Sequence, residues 1–270
     1  MTGTTRADEL AALRTHVTQV VRTAQVTPHV RRITFAGGDL ETYEPLGPDQ
    51  FLYLLLPPPG RAELTIDAGF TWESFWTMPD EDKPVGAYYT VRHHRPEAAE
   101  IDIDAVLHGD AGPASAWAAT AQPGDPAALW GPRQAFAPPP GTDWYLLVAD
   151  ETGLPATAAI LEWLPPGTTV RAFVEVPDAS EEQDLAGNRG VTWLHRGDRP
   201  AGTTTQLIDA VRSLDWPGGR PYAWGGGESR AVTAVRRYLR DEVGLERAQV
   251  SMTGYWRHPS HTEELGDPDD

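Results

Sequence analysis

The sequence predicts two domains in series: a small antiparallel β-barrel, then an α/β domain built on a parallel sheet. Three observations carry this. From His16 to about Pro140 the apolar residues fall in short, mostly alternating runs, the signature of half-buried strands. From Asp143 onward continuous apolar strands alternate with helical segments, as in parallel sheets covered on both faces. Between the two rhythms lies the proline-rich APPPGTD, Ala137 to Asp143, and 270 residues suffice for two cores.

Taken in order, THVTQVVRTAQVTPHVRRITFAG reads as two antiparallel strands turning at Thr27-Pro28, and QFLYLLLP as a third, more buried strand. Arg61 to Gly86, including FTWESFWTMPDEDKPVG, is an insertion whose aromatic and acidic mix suits either a lid or a packed surface loop. YYTVRHHRPEAAEIDIDAVLH then gives strand, turn and strand, and ALWGP the closing strand. In the second half DWYLLVAD, TTVRAFVEV, VTWLHR, PYAWGG and QVSMTGYW read as strands. ETGLPATAAILEWL, TTTQLIDAVRSL and ESRAVTAVRRYLRDEVG read as the helices between them. The expected domains are residues 1–140 and 141–258, with 259–270 an acidic, disordered tail.

Composition narrows the function. A formal charge of −17 argues against nucleic acid, whose phosphates call for clustered Lys and Arg; Lys83 is the only lysine. No apolar run approaches the ~18 residues of a membrane span, and MTGTTRADELAALRTH lacks the apolar core of a signal peptide, so no membrane insertion and a cytoplasmic location are expected. The absence of cysteine excludes disulfides, thiolate zinc sites, cysteine nucleophiles and cysteine-ligated iron–sulfur clusters. Electron transfer would have to use a bound organic cofactor or a metal held by nitrogen and oxygen. His93 and His94 are adjacent, so on a strand they point to opposite faces and cannot chelate one ion together; no protein-bound metal is expected. Twenty-five prolines and 26 glycines favour many turns, and ten tryptophans fill cores or serve a flat aromatic ligand.

One stretch has the ingredients of an anion site. In HGDAGPASAWA, Gly109 and Gly112 relax the backbone, Pro113 suits a first helical turn, and Ser115 offers a hydroxyl beside exposed helix amides. Taken alone it is only a helix start. Its context is more specific: YTVR (Tyr89 to Arg92), VLHGDAGPASAWA, WGP, VADETGLPA, GGGESRAVTAVRRYLRDEVGL and GYW follow one another in order over nearly the whole chain. In these the chain resembles the siderophore-interacting proteins, FAD-dependent ferric-siderophore reductases of the ferredoxin-reductase-like flavoproteins.

The resemblance implies that the barrel binds FAD. Tyr89 would lie against the isoalloxazine ring and Thr90 would hydrogen-bond near its reactive nitrogen, where it would tune redox behaviour. Gly112, Pro113, Ala114 and Ser115 would meet the pyrophosphate, with His108 and Gly109 shaping the turn. The family commonly has R-x-Y-T, and Ala87 stands where that arginine belongs. Arg92 or Arg95 is the candidate replacement.

A nicotinamide cofactor, NADH or NADPH, is expected in the second domain, although G-x-G-x-x-G is absent. Thr152 and Gly153 open the first helix and offer amides to a pyrophosphate. Glu175 ends the second strand, where an acid can receive ribose hydroxyls and repel a 2′-phosphate, favouring NADH. Gly226, Gly227 and Glu228 would let a nicotinamide approach the flavin, and Tyr255 and Trp256 complete the cofactor-binding set. The expected reaction is reduction of ferric iron inside a siderophore substrate, with electrons from NADH or a ferredoxin-like donor. A flavin reductase or tailoring oxidoreductase on the same scaffold, and a siderophore-binding module with a degenerate flavin site, are the alternatives.

Overall fold

The computed structural model describes residues 13–108, 112–186 and 190–261. The chain divides into two compact units between Ala135 and Phe136. Phe136 starts the second unit because its ring is buried there, 5.3 Å from that of Tyr222 and 5.8 Å from that of Tyr145. The Ala137 amide donates to the Tyr222 hydroxyl, so the proline-rich segment is fastened at its start.

The first unit is an antiparallel sheet of β1 (Arg14–Thr27), β2 (Val30–Ala36), β3 (Phe51–Leu56), β4 (Val85–Thr90), β5 (His93–Arg95), β6 (Glu100–Val106) and β7 (Pro126–Arg133), ordered β4-β3-β7-β1-β2-β6-β5. The two edges of that order, β4 and β5, are consecutive in sequence. At the junction the Val91 amide still donates to Gln50, before β3, while the next amide, Arg92, donates to Asp102 of β6. One strand thus changes partner between neighbouring residues, and the sheet closes into a barrel without a free edge. Its interior is the alternating apolar set, Val20, Ile33, Phe35, Leu52, Leu54, Ile101, Ile103 and Leu129, all at or below 1% exposure.

The insertion after β3 carries α1 (Trp72–Thr77), started by a reciprocal Thr71–Ser74 capping box. Phe70, Trp72 and Phe75 pack on Tyr53, Leu55 and Trp130, so most of its aromatics are consumed in covering the barrel wall. A second helix, α2 (Pro113–Thr120), buries Ala114 and Ala118 in the barrel core and stacks Trp117 on Phe35. Arg31 holds its far end, donating to the carbonyls of Ala118, Ala119 and Ala121.

The second unit is a five-stranded parallel sheet of β8 (Trp144–Asp150), β9 (Thr169–Val176), β10 (Val191–His195), β11 (Pro221–Glu228) and β12 (Val250–Trp256), ordered β10-β9-β8-β11-β12. The order reverses between β8 and β11, the switch point where open α/β sheets keep a crevice at their strand ends. Helices α3 (Leu154–Trp163), α4 (Gln206–Arg212) and α5 (Ser229–Arg237) cover the faces. Along β8, Leu147 belongs to one core while Leu146 and Val148 belong to the other, the period of two expected of a doubly covered strand. Among the described residues no helix is long and apolar enough to cross a membrane.

Candidate functional site

In the first unit the residues singled out by sequence gather at the end of β4 and the start of α2, which pack against each other. Strand alternation sorts the two tyrosines. Tyr88 lies opposite Tyr53, is 49% exposed, and has the Arg133 guanidinium 5.9 Å from its ring centroid. Tyr89 lies opposite Leu52 and packs on the barrel core with one edge accessible. Burial pushes its hydroxyl up to about 12, so it stays protonated at any physiological pH. Thr90 is 7% exposed, and its hydroxyl has no hydrogen bond among the described residues.

The start of α2 is likewise left open. Gly112 is extended (φ −171°) and supplies no side-chain cap, and a Cβ built on it would meet nothing within 4 Å. Pro113 fills the first helical position, and Ala116 is the first amide bonded back, to Gly112. Ser115 differs from expectation: its hydroxyl donates to Val106 and accepts from the His108 amide, tying the end of β6 to the helix. His108 is exposed, whereas Gly109 lies outside the described residues. A hydroxyl left without a hydrogen bond among the described residues, in the same unit as an uncapped helix start, fits FAD, which Tyr89, Thr90 and the helix amides would hold.

The cations named as replacements for the missing arginine are committed elsewhere. Arg95 forms two 2.7 Å bonds to Asp102 and a third to Glu100. Arg92 is 8% exposed and turned toward Asp104, 3.9 Å away. Ala87 sits opposite Leu54, on the same face as Tyr89.

In the second unit the sequence-chosen residues converge on the switch point, but around carboxylates. Asp150, at the end of β8, is 4% exposed and accepts four hydrogen bonds: from the Thr152 amide and hydroxyl on one oxygen, and from the Glu228 amide and Trp256 indole on the other. Glu228 is 1% exposed and caps α5, accepting from the amides of Arg230 and Ala231. Its other oxygen accepts from the His258 amide and contacts the His261 ring.

Glu151 pairs bidentately with Arg196. Burial and the neighbouring Asp150 push the Glu151 carboxyl up, against the pull of that arginine. Glu175, expected to face a ribose, is 3% exposed and accepts the Thr204 hydroxyl, and burial raises its carboxyl above the usual range. The group points into the unit.

The glycines are also spoken for. A Cβ at Gly153 would run into the Gly226 carbonyl at 2.1 Å, one at Gly226 into the Tyr255 ring at 2.7 Å, and one at Gly227 into the Asp150 carboxyl at 2.8 Å. These positions need glycine for close packing of strand, loop and cover. Asp150 and Arg196 were not singled out from sequence. An acid ending an apolar strand just before a helix start is the signal that could have found Asp150; Arg196 carries none, since its partner lies 45 residues away.

Comparison with known proteins matches both units to one family. Residues 19–136 match the model of the siderophore-interacting FAD-binding domain and residues 142–259 that of the siderophore-interacting protein. An uncharacterized protein of Mycobacterium tuberculosis is 37% identical, covering 93% of this chain and 92% of that one. The ferric vibriobactin reductase ViuB of Vibrio cholerae is 28% identical, covering 95% and 94%. The crystal structure of a siderophore utilization protein from T. fusca superposes with a TM-score of 0.79 at 33% identity, covering 92% and 94%. With both of its units matched in order, the chain belongs to the siderophore-interacting protein family, an antiparallel unit matching the FAD-binding domain followed by a parallel α/β one.

Proposed function

We propose that this protein is an FAD-dependent ferric-siderophore reductase. The observation that carries the reading is the pairing of Thr90, whose hydroxyl has no hydrogen bond among the described residues, with an uncapped α2 start, in a chain whose two units both match this family. The full-length similarity to a ferric vibriobactin reductase supports the substrate class.

When bound, FAD supplies the chemistry of accepting electrons in pairs and releasing them singly. The chain's residues do the rest. The Tyr89 ring supports the flavin plane, and its raised pKa keeps it a neutral wall. Thr90 holds a hydrogen bond toward the ring, and the α2 amides hold the phosphates. Ferric iron arrives inside its chelator; once reduced, it is held far more weakly by hard oxygen donors and leaves.

The test is an absorbance spectrum of purified protein, followed by anaerobic reduction and addition of ferric siderophore with a ferrous-iron trap. Flavin reoxidation matched by trapped Fe(II), faster than with free FAD, is expected. Reoxidation by oxygen or free flavin alone would leave a general flavin reductase. A protein that stays colourless after FAD reconstitution would favour the siderophore-binding alternative, which Ala87 and the engagement of Arg92 and Arg95 make concrete.

A further inference from the structure

We infer that the strand ends of the second unit do not seat the pyrophosphate of a nicotinamide dinucleotide, because Asp150 and Glu228 already occupy its anion positions. The crevice at the β8–β11 switch point is where this sheet order would place such a ligand, with its phosphates on amides that open the adjoining helices. Here the amides of Thr152, Gly153, Arg230 and Ala231 are taken. On α5 the Arg230 and Ala231 amides bond to the Glu228 carboxylate at 2.7 and 3.0 Å. In the loop after β8, the Thr152 amide bonds to the Asp150 carboxylate at 2.8 Å, and the Gly153 amide to the Asp150 carbonyl at 3.1 Å. On α3, Pro155 has no amide hydrogen, and Leu154 and Ala156 are at most 1% exposed.

Space is filled as well as charge. The glycines that would let a cofactor come close are instead covered by Asp150, Tyr255 and the packing of Gly153 on Gly226. Electrostatics points the same way. Asp150 and Glu175 are register partners across β8 and β9, and Glu151 and Glu228 stand beside them. The buried Arg196 is spent on Glu151. A pyrophosphate entering would meet carboxylates in a poorly hydrated site, and each of its bonds would first have to displace an intramolecular one.

It follows that the donor of electrons does not depend on this crevice, and that a reduced nicotinamide acts, if it acts, through its ring alone. The inference stands apart from the identity of the acceptor, since binding can be measured without turnover.

Calorimetric titration of the FAD-loaded full chain with ADP-ribose is the first measurement. No saturable binding is expected, corresponding to Kd weaker than about 1 mM. Glu228→Gln removes charge while leaving an oxygen to cap α5, and Asp150→Asn does the same at the loop. With folding checked by an unchanged far-ultraviolet spectrum, at least one should gain about tenfold in ADP-ribose affinity. Saturable micromolar binding by the wild type would overturn the inference, and it would still do so if neither variant folded. Folded variants that bind no better would overturn the attribution to these carboxylates. The second measurement compares NADH with dihydronicotinamide riboside, which lacks the pyrophosphate, in reducing bound FAD. The two should agree in kcat/KM within about threefold, because remote groups that do not bind contribute nothing to rate. An advantage of about a hundredfold for NADH would overturn the inference.

Discussion

Arg95 lies against Asp102 as a fork, with two parallel bonds of 2.7 Å each. The carboxylate also accepts from the Thr34 hydroxyl at 2.7 Å and contacts the His93 ring at 3.1 Å, and is almost wholly buried. Next to it, Asp104 takes a bidentate pair from Arg32. The barrel wall beneath β5 is therefore an ion-pair layer whose arginines are oriented by carboxylates. Arg95 and Arg32 are held in that layer by Asp102 and Asp104.

The layer gives a stability prediction with a definite pH dependence. Burial works to raise the Asp102 carboxyl, but the bonds from Arg95, His93 and Thr34 outweigh it and hold it well below the usual carboxylate range. A depressed carboxyl contributes stability above its unfolded pKa of about 3.9, lost as pH falls through the folded value. Asp102→Asn should cost about 2 kcal/mol at neutral pH, less than the ~3–5 kcal/mol of a fully buried pair because Arg95 remains partly hydrated. Urea unfolding at several pH values checks this. The gap between wild type and variant should be flat above about pH 5 and narrow below about pH 4; a gap that widens in acid would contradict it.

Restoring the cation is the second prediction. Ala87 shares its strand face with Tyr89 and is only partly buried, so Ala87→Arg can project beside the cofactor. A charge-assisted bond to phosphate contributes roughly 1.5–3 kcal/mol, so FAD affinity should rise about tenfold or more. Fluorescence titration of apoprotein with FAD measures it. Unchanged or weaker binding would mean that another group already holds the phosphates or that the site has no room.

The third prediction concerns Thr90. Its hydroxyl has no partner among the described residues, so Thr90→Val should leave the barrel at least as stable, since a hydroxyl without a hydrogen bond contributes none to the fold. It should nonetheless shift the reduction potential and visible spectrum of bound flavin. The cofactor released on denaturation should be FAD; release of FMN would remove the case for a pyrophosphate at α2. A destabilised variant with an unshifted potential would make Thr90 a packing residue.

What was legible in the sequence was whatever repeats locally. The alternation of Ile101, Ile103 and Ala105, and the continuous run of β8, disclose the two sheet types because each records its own burial. Barrel closure was hidden: YTVRHHR reads as one strand, and nothing local says that it exchanges partners between Val91 and Arg92. The hydrogen bonding at the second unit's strand ends is hidden for a related reason. Asp150-Glu151-Thr152-Gly153 looks like an open anion loop until Trp256, 106 residues away, is seen to donate to Asp150. An acid's destination depends on partners that sequence order does not reveal.

Glu175 shows this most directly, and the final prediction rests on it. As a strand-end acid it reads as facing a ribose and favouring NADH. Its carboxylate is instead buried, bonded by Thr204 and near Arg196 and Arg199. Burial raises its pKa and the Thr204 bond only partly opposes that. A raised carboxyl contributes stability that is fully present below its unfolded pKa of about 4.3 and is lost as pH rises through the folded value. At neutral pH the fold thus carries a desolvated charge, which glutamine removes while keeping an acceptor for Thr204. Glu175→Gln should therefore raise Tm at pH 7 by about 2–4 °C, equivalent to roughly 1 kcal/mol, with the advantage disappearing near pH 4. The ratio of NADPH to NADH reactivity should not move. Differential scanning calorimetry across pH and stopped-flow reduction with each nucleotide give the two readings. A less stable variant would show that Arg196 and Arg199 need the charge, and a shifted nucleotide ratio would return Glu175 to the ribose.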